Sequence, residues 1–381
     1  MSMDPYDERN FDLPAPKMPQ EQFLAWRSPR FGTANPADLS NPLWTWLVQS
    51  RMDAYNANKR FEGPSAFKAG PMWCFHRFGT SRTPLPDGRV VYVAGEHEDH
   101  YDPDFCIYND VIVEYPDGAV TVYGYPREVF PPTDFHSATL VDNRLIIVGS
   151  LGYPDDRKPG TTPVLELDLA TFKVRTVRTR GEGPGWISSH TAVYEPHTGM
   201  VVVQGGQLVT NTHEAFVTNT DDWALDVKTW RWQRRTRREW PEFWLMRRDR
   251  ARNQLWHVRQ LVWYQSVNWV EDVNKERARL TEALGFVPDV ALLDTLYQPW
   301  PDAEALPVDE DDYGIHKVRI DGATVRFDES DGFGLRVLVQ GMLSAERIDA
   351  LKQHLLKVLQ AMESVEWEVT TLAGEAPGTS P

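Results

Sequence analysis

The chain has 381 residues, and an apolar content of 41% is that of a globular protein rather than of a chain disordered throughout. Its net charge of −15 argues against a general nucleic-acid or anionic-membrane binder, because such proteins need net or local basic charge. An aromatic content of 12%, together with 28 Pro and 25 Gly, favours many short strands joined by tight turns.

The first residues are acidic and lack an apolar core, so no secretory signal is expected. No window approaches the roughly 18 apolar residues of a membrane span, and no membrane partner is expected. Two cysteines, Cys74 and Cys106, are too few for a secreted disulfide scaffold. The sequence therefore predicts a cytoplasmic protein with two reduced thiols, with one disulfide as the alternative.

The N-terminal part is predicted to be extended and then helical. Four prolines within 1–22 indicate an extended or disordered leader. In the helical segment 23–72, Asn41 can cap a helix that begins at Pro42 and ends within 58–61.

From about residue 73 the apolar period changes from 3.6 to 2, which is typical of strands. Turn signals such as Pro86-Asp87-Gly88 and Asp142-Asn143 separate these strands. The predicted strands lie at 89–95, 110–115, 119–123, 144–149, 164–169, 173–177, 200–204 and 223–227.

After Thr236 the pattern is ambiguous. Residues 255–258 are compatible with a strand, whereas 262–284 and 291–297 indicate helices. Residues 265–313 are therefore interpreted as a helical junction that ends in an acidic linker at 302–312.

The segment 314–372 predicts a small α+β unit. Its strands are expected at 315–320, 323–327, 335–339 and 365–370, and Ser344 can cap a helix between the last two. The apolar face of that helix is either internal core or the contact surface of a homo-oligomer; it holds Ile348, Leu351, Leu355, Val358 and Leu359. Residues 373–381 are predicted to be a disordered tail.

Internal repeats occur within the strand-rich region. Segments 165–172 and 223–230 align without a gap, sharing Leu, Asp and Thr and ending on an aromatic residue. His136-Ser137-Ala138 matches His190-Thr191-Ala192, and each is followed by an apolar strand that ends in glycine. A third copy begins at Pro86 and leads to the strand at 110–115.

This unit of strand, glycine, loop, strand, Asp-containing turn, aromatic and strand resembles the kelch repeat of β-propellers, which spans about 50 residues and four strands. The full pattern is matched by Gly205-Gly206, Trp223 and Trp230, whereas the middle copy keeps Gly149, Leu165 and Phe172, and the first keeps Gly95. The resemblance covers roughly 73–236.

The resemblance implies a mainly β fold with a kelch-like propeller at 73–264, helical segments and the small C-terminal α+β domain. Closed propellers usually have about four to eight blades, and three copies are convincing here. The propeller is therefore expected to be incomplete, capped by the flanking helices, or completed by oligomerisation.

The densest ligand-like cluster lies at 96–104, on a loop that follows a repeat glycine. His97, Asp99, His100 and Asp102 are the candidate ligands of a divalent metal, which is the one cofactor considered. The alternative is a solvated acidic loop. His136 and His190 occupy equivalent repeat positions, which favours a structural role over a catalytic one.

Candidate partner-binding residues are aromatic and basic. Trp186 follows a Gly-rich loop and is either a partner anchor or a packed wedge. Nine Arg lie within 231–252 among Trp232, Trp240 and Trp244; of this segment Arg234, Arg235, Arg238 and Trp240 are the candidate contacts. The alternative is an ion-paired segment that neutralises the acidic loop at 302–312. The repeats do not explain the Trp-rich stretch from Trp232 to Trp269.

The sequence contains no nucleophile elbow, Walker loop, dinucleotide fingerprint or metalloprotease motif, and no catalytic residue is assigned. The favoured hypothesis is an acidic, kelch-like interaction scaffold that binds a protein partner through propeller loops. One version is an immunity or inhibitor protein that binds a basic partner. The alternative is a propeller enzyme with a loop-assembled, metal-dependent site. Kelch-like propellers resemble galactose oxidase and sialic-acid mutarotase in architecture, but the copper site of galactose oxidase has no residue-by-residue match in this sequence.

Overall fold

The computed structural model describes residues 13–97, 102–210, 216–308, 314–329 and 332–373. Within these ranges the chain is mainly β, with several antiparallel sheets and eight α-helices. It divides into two compact units, Met1–Arg237 and Arg238–Pro381. None of the described helices is long and apolar enough to cross a membrane.

Four short helices open the first unit: α1 (Gln20–Trp26), α2 (Pro42–Ser50), α3 (Ala54–Arg60) and α4 (Ala66–Ala69). The predicted cap of α2 is confirmed, because the Asn41 side chain accepts the Trp44 N–H at 3.0 Å. The predicted extent is wrong: Arg51 adopts a left-handed conformation (φ 56°), which ends α2, and Asp53 caps α3. The predicted extended leader is also partly wrong, because α1 begins within it and buries Phe23.

The described residues of the first unit form eighteen strands. They are β1 (Ala37–Asp38), β2 (Ser81–Pro84), β3 (Val90–Val93), β4 (Glu96–His97), β5 (Cys106–Ile107), β6 (Asp110–Glu114), β7 (Val120–Gly124), β8 (Ser137–Val141), β9 (Arg144–Val148), β10 (Val164–Asp168), β11 (Val174–Thr176), β12 (Ile187–Ser188), β13 (Thr191–Glu195), β14 (Met200–Gln204), β15 (Gln207–Val209), β16 (Phe216–Thr218), β17 (Trp223–Asp226) and β18 (Arg231–Arg234). The eight strands predicted from period and turn signals are confirmed, with bounds that differ by at most two residues.

The main strands form three antiparallel sheets. Their orders are β1-β7-β6-β3-β2, β11-β10-β9-β8 and β13-β14-β17-β18, so each contains a four-stranded meander. The first strands of successive sheets contact each other, β2 with β8 and β8 with β13. Among the described residues the sheets form no closed ring or barrel.

Apolar side chains fill the spaces between successive sheets because the sides of the sheets that face each other are apolar. Val91 and Val111 of the first sheet share a cluster with Leu167 of the second. Ile146 of the second shares another with Trp223 of the third. The remaining face of the first sheet is covered by the N-terminal helices, which include Trp44.

Equivalent backbone hydrogen bonds connect the sheets where each first strand begins. The N–H of Phe135 donates to Gly79 O at 2.9 Å, and the N–H of Ser189 donates to Phe135 O at 2.7 Å. All three residues have positive φ, at 59°, 45° and 54° along the chain. A Cβ on Gly79 would overlap Phe135 N, so the first of these positions requires glycine.

In the second unit, the residues that the structure describes form one six-stranded sheet and four helices. Its elements are β19 (Glu242–Arg247), α5 (Leu255–Ser266), α6 (Val270–Leu284), α7 (Ala291–Tyr297), β20 (Glu304–Leu306), β21 (Ile315–Ile320), β22 (Ala323–Asp328), β23 (Gly334–Gln340), α8 (Ala345–Glu363) and β24 (Trp367–Ala373). The strand order is β20-β21-β22-β23-β19-β24. The predicted Ser344 cap is confirmed, and the apolar face of α8 is buried in the core of this unit.

Three expectations for this half of the chain are corrected. Residues 238–264, expected to extend the propeller, lie in the second unit, where β19 pairs with β23 and β24. Residues 255–258, which the sequence pattern allowed as a strand, form the first turn of α5. The predicted helix at 262–284 is two helices, because Asn268 has a φ of 56° between them.

Replacing Trp223 by Ala is expected to lower the free energy of unfolding of the first unit by about 3–5 kcal/mol, because a large cavity would open between two sheets. Trp223 is buried, and its indole N–H donates to Asn219 Oδ1 at 3.1 Å. Urea unfolding followed by circular dichroism measures the change. Val193→Ala, at an exposed position of the same sheet, is the control and should change stability by less than about 0.5 kcal/mol. Similar losses for both variants would contradict the packing described.

Candidate functional site

The proposed metal loop lies only partly within the described residues. Asp99 and His100 fall outside them. His97 lies in β4 and is 6% exposed, and its burial lowers the pKa of the imidazole despite the attraction of Asp104. Asp102 is half-buried and lines a cavity that Arg27 and Lys59 also line. In the described part of the chain, no three His, Cys, Asp or Glu side chains are grouped so that they could hold a metal ion.

A buried carboxyl that the sequence did not single out lies close to this loop. Asp134 is fully buried, and burial raises the pKa of its carboxyl group. Gly152 N–H and Ser150 Oγ donate to its Oδ1 at 2.6 and 3.1 Å. Glu96 also hydrogen-bonds to it, and the charge of Arg157 favours the ionised form. The position was not predictable because these groups come from separate loops.

The two repeat histidines make equivalent contacts between sheets. His136 Nε2 lies 2.9 Å from Ser81 Oγ, and His190 Nε2 lies 2.8 Å from Ser137 Oγ. Each histidine thus contacts the first strand of the preceding sheet. Burial lowers the pKa of His136 to about 3 and that of His190 to about 4. Both are therefore neutral at pH 7, and the geometry supports the structural role predicted for them.

The structure places Trp186 among packed side chains rather than at the surface. It is buried, and its indole N–H donates to Leu151 O at 3.1 Å. Of the two roles considered for Trp186, the described structure therefore favours the packed wedge over the partner anchor.

The arginine segment is divided between the two units and is largely ion-paired. In the first unit, Arg234 binds Asp221 through Nε at 2.8 Å, and Arg235 binds both carboxylate oxygens of Glu195. The Arg235 pair lowers the pKa of Glu195 to about 2.

In the second unit the same pattern continues. Arg247 binds Glu363 at 2.8 Å, and Arg250 binds Glu368 at 2.5 Å. Arg238 lies over the Trp240 ring at 5.4 Å. The expected intramolecular role is therefore found, but the partners described are not those of the acidic loop, of which 309–313 lie outside the described residues.

An exposed aromatic surface lies on α5, α6 and the turn between them. Helix α5 buries Leu255, Val258 and Leu261 in the core, and Val262 packs against it. At 100° per residue these positions share one side of the helix, so Trp256 and Trp263, seven residues apart, point to the other side. We call the following set the tryptophan surface; it consists of the exposed Trp256, Trp263, Val267, Trp269 and Val270 together with the half-buried Tyr264.

Three rings of this surface contact one another, those of Trp263, Tyr264 and Trp269. Trp263 and Trp269 meet edge to face with centroids 4.9 Å apart, and Tyr264 lies 5.4 Å from Trp263. The three tryptophans are 42–49% exposed, and Val270 is 61% exposed. Single exposed apolar residues are common, but a contiguous aromatic group of this kind is typical of an interaction site.

Carboxylates flank the tryptophan surface. Glu271 and Asp272 lie in the first turn of α6, directly after Val270. Their position stabilises the helix through its dipole. Among the residues that the structure describes, neither carboxylate forms an ion pair, so both remain open to a cationic group.

The sequence carries a signal for this surface that the repeat analysis did not use. The tryptophans at 256 and 263 have the spacing of one helix face, opposite to the apolar positions. Residues 255–258 were compatible with a strand, however, and a strand has no such face. Because the start of α5 was not predicted to be helical, the tryptophan surface was not predicted either.

No protein-family model and no curated protein matches this chain. Among solved structures it is similar to a structure of YjhT, with 11% identity and a TM-score of 0.30 over 41% of this chain and 54% of that one. It is also similar to a fungal alcohol oxidase of the AA5 family in complex with copper, with 12% identity and a TM-score of 0.28 over 42% and 44%. The chain spans about half the length of each, and likenesses at these TM-scores assign neither fold nor function.

Acidification is expected to destabilise the first unit through the two buried histidines. Their folded-state pKa values lie below the unfolded value of about 6.5, so protonation favours unfolding as the pH falls below 6.5. Each should cost about 2 kcal/mol at pH 5. Urea unfolding at pH 7 and pH 5 should show that His136→Gln and His190→Gln each remove about this much of the pH dependence.

The matched variant for this test is Ser137→Ala. It removes the hydrogen bond to His190 and should cost about 0.5–1.5 kcal/mol at both pH values. The pH dependence should stay, because burial and not this hydrogen bond lowers the pKa of His190. An unchanged pH dependence in both glutamine variants would contradict the assignment.

Proposed function

We propose that this chain is a protein-binding protein built on a kelch-like array, and that its partner is basic. Support for the array comes from the three four-stranded antiparallel meanders. Further support comes from the equivalent His–Ser contacts between successive sheets and from the positive φ that follows the second strand at Ala94, Gly149 and Gly205. The same proposal includes the arrangement of this array as a propeller.

The observation that carries the binding function is the tryptophan surface. Tryptophan and tyrosine dominate the energetic centres of protein interfaces, because they bury a large area with few rotatable bonds. Leaving three tryptophans nearly half exposed forgoes the free energy that their burial would supply, about 25 cal/mol for each Å². A partner that covers this surface recovers that free energy. The sequence indicated binding through the loops of the array, whereas the exposed area favours the α5–α6 pair.

The charge beside the surface indicates the chemistry of the partner. Glu271 and Asp272 can pair with lysine or arginine, and the faces of Trp263 and Trp269 attract the same cations. The net charge of −15 also accelerates association with a basic protein at low salt. An inhibitor or immunity protein for a basic partner is one form of this proposal. The two free cysteines are compatible with a cytoplasmic setting. Self-association through the C-terminal unit stays a prediction.

The alternative function is an enzyme, and the buried Asp134–Glu96 pair favours it. Two carboxyl groups that share a hydrogen bond can act as acid and base, and burial raises the pKa of Asp134 toward the range in which it can donate a proton. This alternative predicts a turnover that Asp134→Asn abolishes and that Trp263→Ala leaves unchanged.

Selection from a displayed library of random peptides tests the binding proposal. We expect the selected peptides to be rich in arginine or lysine with apolar neighbours. In calorimetric titrations of one selected peptide, Trp263→Ala and Trp269→Ala should each weaken binding on the order of 10-fold or more. Glu271→Lys should weaken it and reduce its dependence on salt.

The control is Met342→Ala, which removes an exposed apolar side chain of the same unit outside the tryptophan surface and should leave the affinity unchanged. Acidic or uncharged peptides from the selection would contradict the proposed partner. Binding that survives loss of Trp263 and Trp269 would contradict the proposed surface.

A further inference from the structure

The first unit contains a cavity of about 380 Å³ that neither Asp134 nor Glu96 lines. Its walls come from segments far apart in sequence, 28–31, 69–71 and 105–110, together with Arg127 and Tyr153. The volume falls within the range of small-molecule sites, about 300–1,000 Å³.

One part of the cavity is apolar and aromatic. Phe105 and Tyr153 meet edge to face with centroids 5.7 Å apart, and both line the cavity. Phe31 also lines it and is 48% exposed. Pro29 and Pro71 complete this wall. An aromatic or aliphatic group fits against these rings because its burial removes apolar surface from water.

The polar groups of the cavity are hydrogen-bond donors. The Tyr153 hydroxyl oxygen accepts the Ile107 N–H at 2.9 Å, which leaves the hydroxyl hydrogen without an acceptor among the described residues. Burial raises the pKa of Tyr153, so the hydroxyl keeps that hydrogen at neutral pH. The guanidinium groups of Arg30 and Arg127 are the charged donors at the cavity wall.

The net charge of the cavity wall is positive. Asp110 is a wall residue, but Arg77 holds both of its oxygens, at 2.5 and 3.0 Å, and the Trp73 indole donates to it at 2.8 Å. Arg127 is paired with Asp156 at 2.6 Å. Arg30 lies over the Trp44 ring at 5.0 Å, and no carboxylate pairs with it in the part of the chain that the structure describes.

The thiol in the wall does not alter this balance. Burial raises the pKa of Cys106 to about 12, so the thiol is neutral at pH 7. The cavity therefore presents one uncompensated cation, further N–H and O–H donors, and an aromatic wall. A ligand that satisfies all of them has one negative charge, acceptor oxygens and an apolar body.

We propose that this cavity binds a small organic carboxylate, with its oxygens at Arg30, Arg127 and the Tyr153 hydroxyl and its apolar body against Phe31 and Phe105. This site is independent of the protein-binding function proposed above, because none of its residues belongs to the tryptophan surface. The carboxylate belongs either to a free organic acid or to the C-terminus of a peptide, and the probes below separate these sources.

Calorimetric titration of the full chain with 3-phenylpropionate tests the proposal. 3-Phenylpropylamine has the same carbon skeleton and the opposite charge, and 3-phenylpropanol is the neutral analogue. We expect the carboxylate to bind at least about 10-fold more tightly than either, because one charge-assisted pair is worth about 1.5–3 kcal/mol. Gly-Gly-Phe and its C-terminal amide form a second pair, and preference for the tripeptide acid over 3-phenylpropionate identifies a peptide end as the source.

Variants identify the groups responsible. Arg30→Gln should weaken 3-phenylpropionate binding on the order of 10-fold, and Tyr153→Phe should weaken it several-fold. Arg178→Gln is the matched control, because Arg178 is an exposed arginine outside the cavity wall, and it should leave the affinity unchanged. Thermal unfolding verifies that each variant remains folded. Equal binding of the amine and the acid, or an affinity that Arg30→Gln does not change, would overturn the proposal.

Discussion

Backbone hydrogen bonds from Phe135 to Gly79 and from Ser189 to Phe135 join the beginnings of three successive sheets. Two of these residues are not glycine and yet have left-handed backbone angles, which costs on the order of 1–2 kcal/mol at each. The His136–Ser81 and His190–Ser137 contacts and the apolar clusters between sheets offset this cost. The spacing of the sheets depends on these hydrogen bonds. The positions of the loops that follow the strands depend on that spacing.

The sequence predicts this part of the fold well because its information is local. An apolar alternation, a turn and an Asp-containing repeat lie within a few residues of each other, and they locate strands such as β14 without error. The break at Arg51 was not predictable, because arginine has no preference for the left-handed conformation that ends α2. The break at Asn268 carried a weak local signal, because asparagine adopts that conformation more readily than most residues. The pairing of β19 with β24 was not predictable either, because it joins segments more than a hundred residues apart.

The same distinction applies to the sites. The tryptophan surface could have been predicted, because the spacing of Trp256 and Trp263 is a property of one helix. The cavity beside Tyr153 could not, because its walls come from segments that only the tertiary fold brings together. The high aromatic content of the chain has two structural causes, buried packing and an exposed surface. Trp44 stacks on Trp73 in a buried core, whereas Trp263 and Trp269 remain nearly half exposed.

The cavity and the tryptophan surface differ in how firmly their side chains are held, and this difference favours different ligands. Tyr153 is held by the Ile107 N–H and by its contact with Phe105, so little freedom is lost when a ligand binds. A small molecule needs such a preformed site because its few contacts cannot offset the entropy lost when side chains become ordered. The rings of Trp263 and Trp269 contact each other and are nearly half exposed, and ordering them on binding costs more. Only a partner that covers a large area can offset that cost, so the helical surface is suited to a protein and the cavity to a small anion.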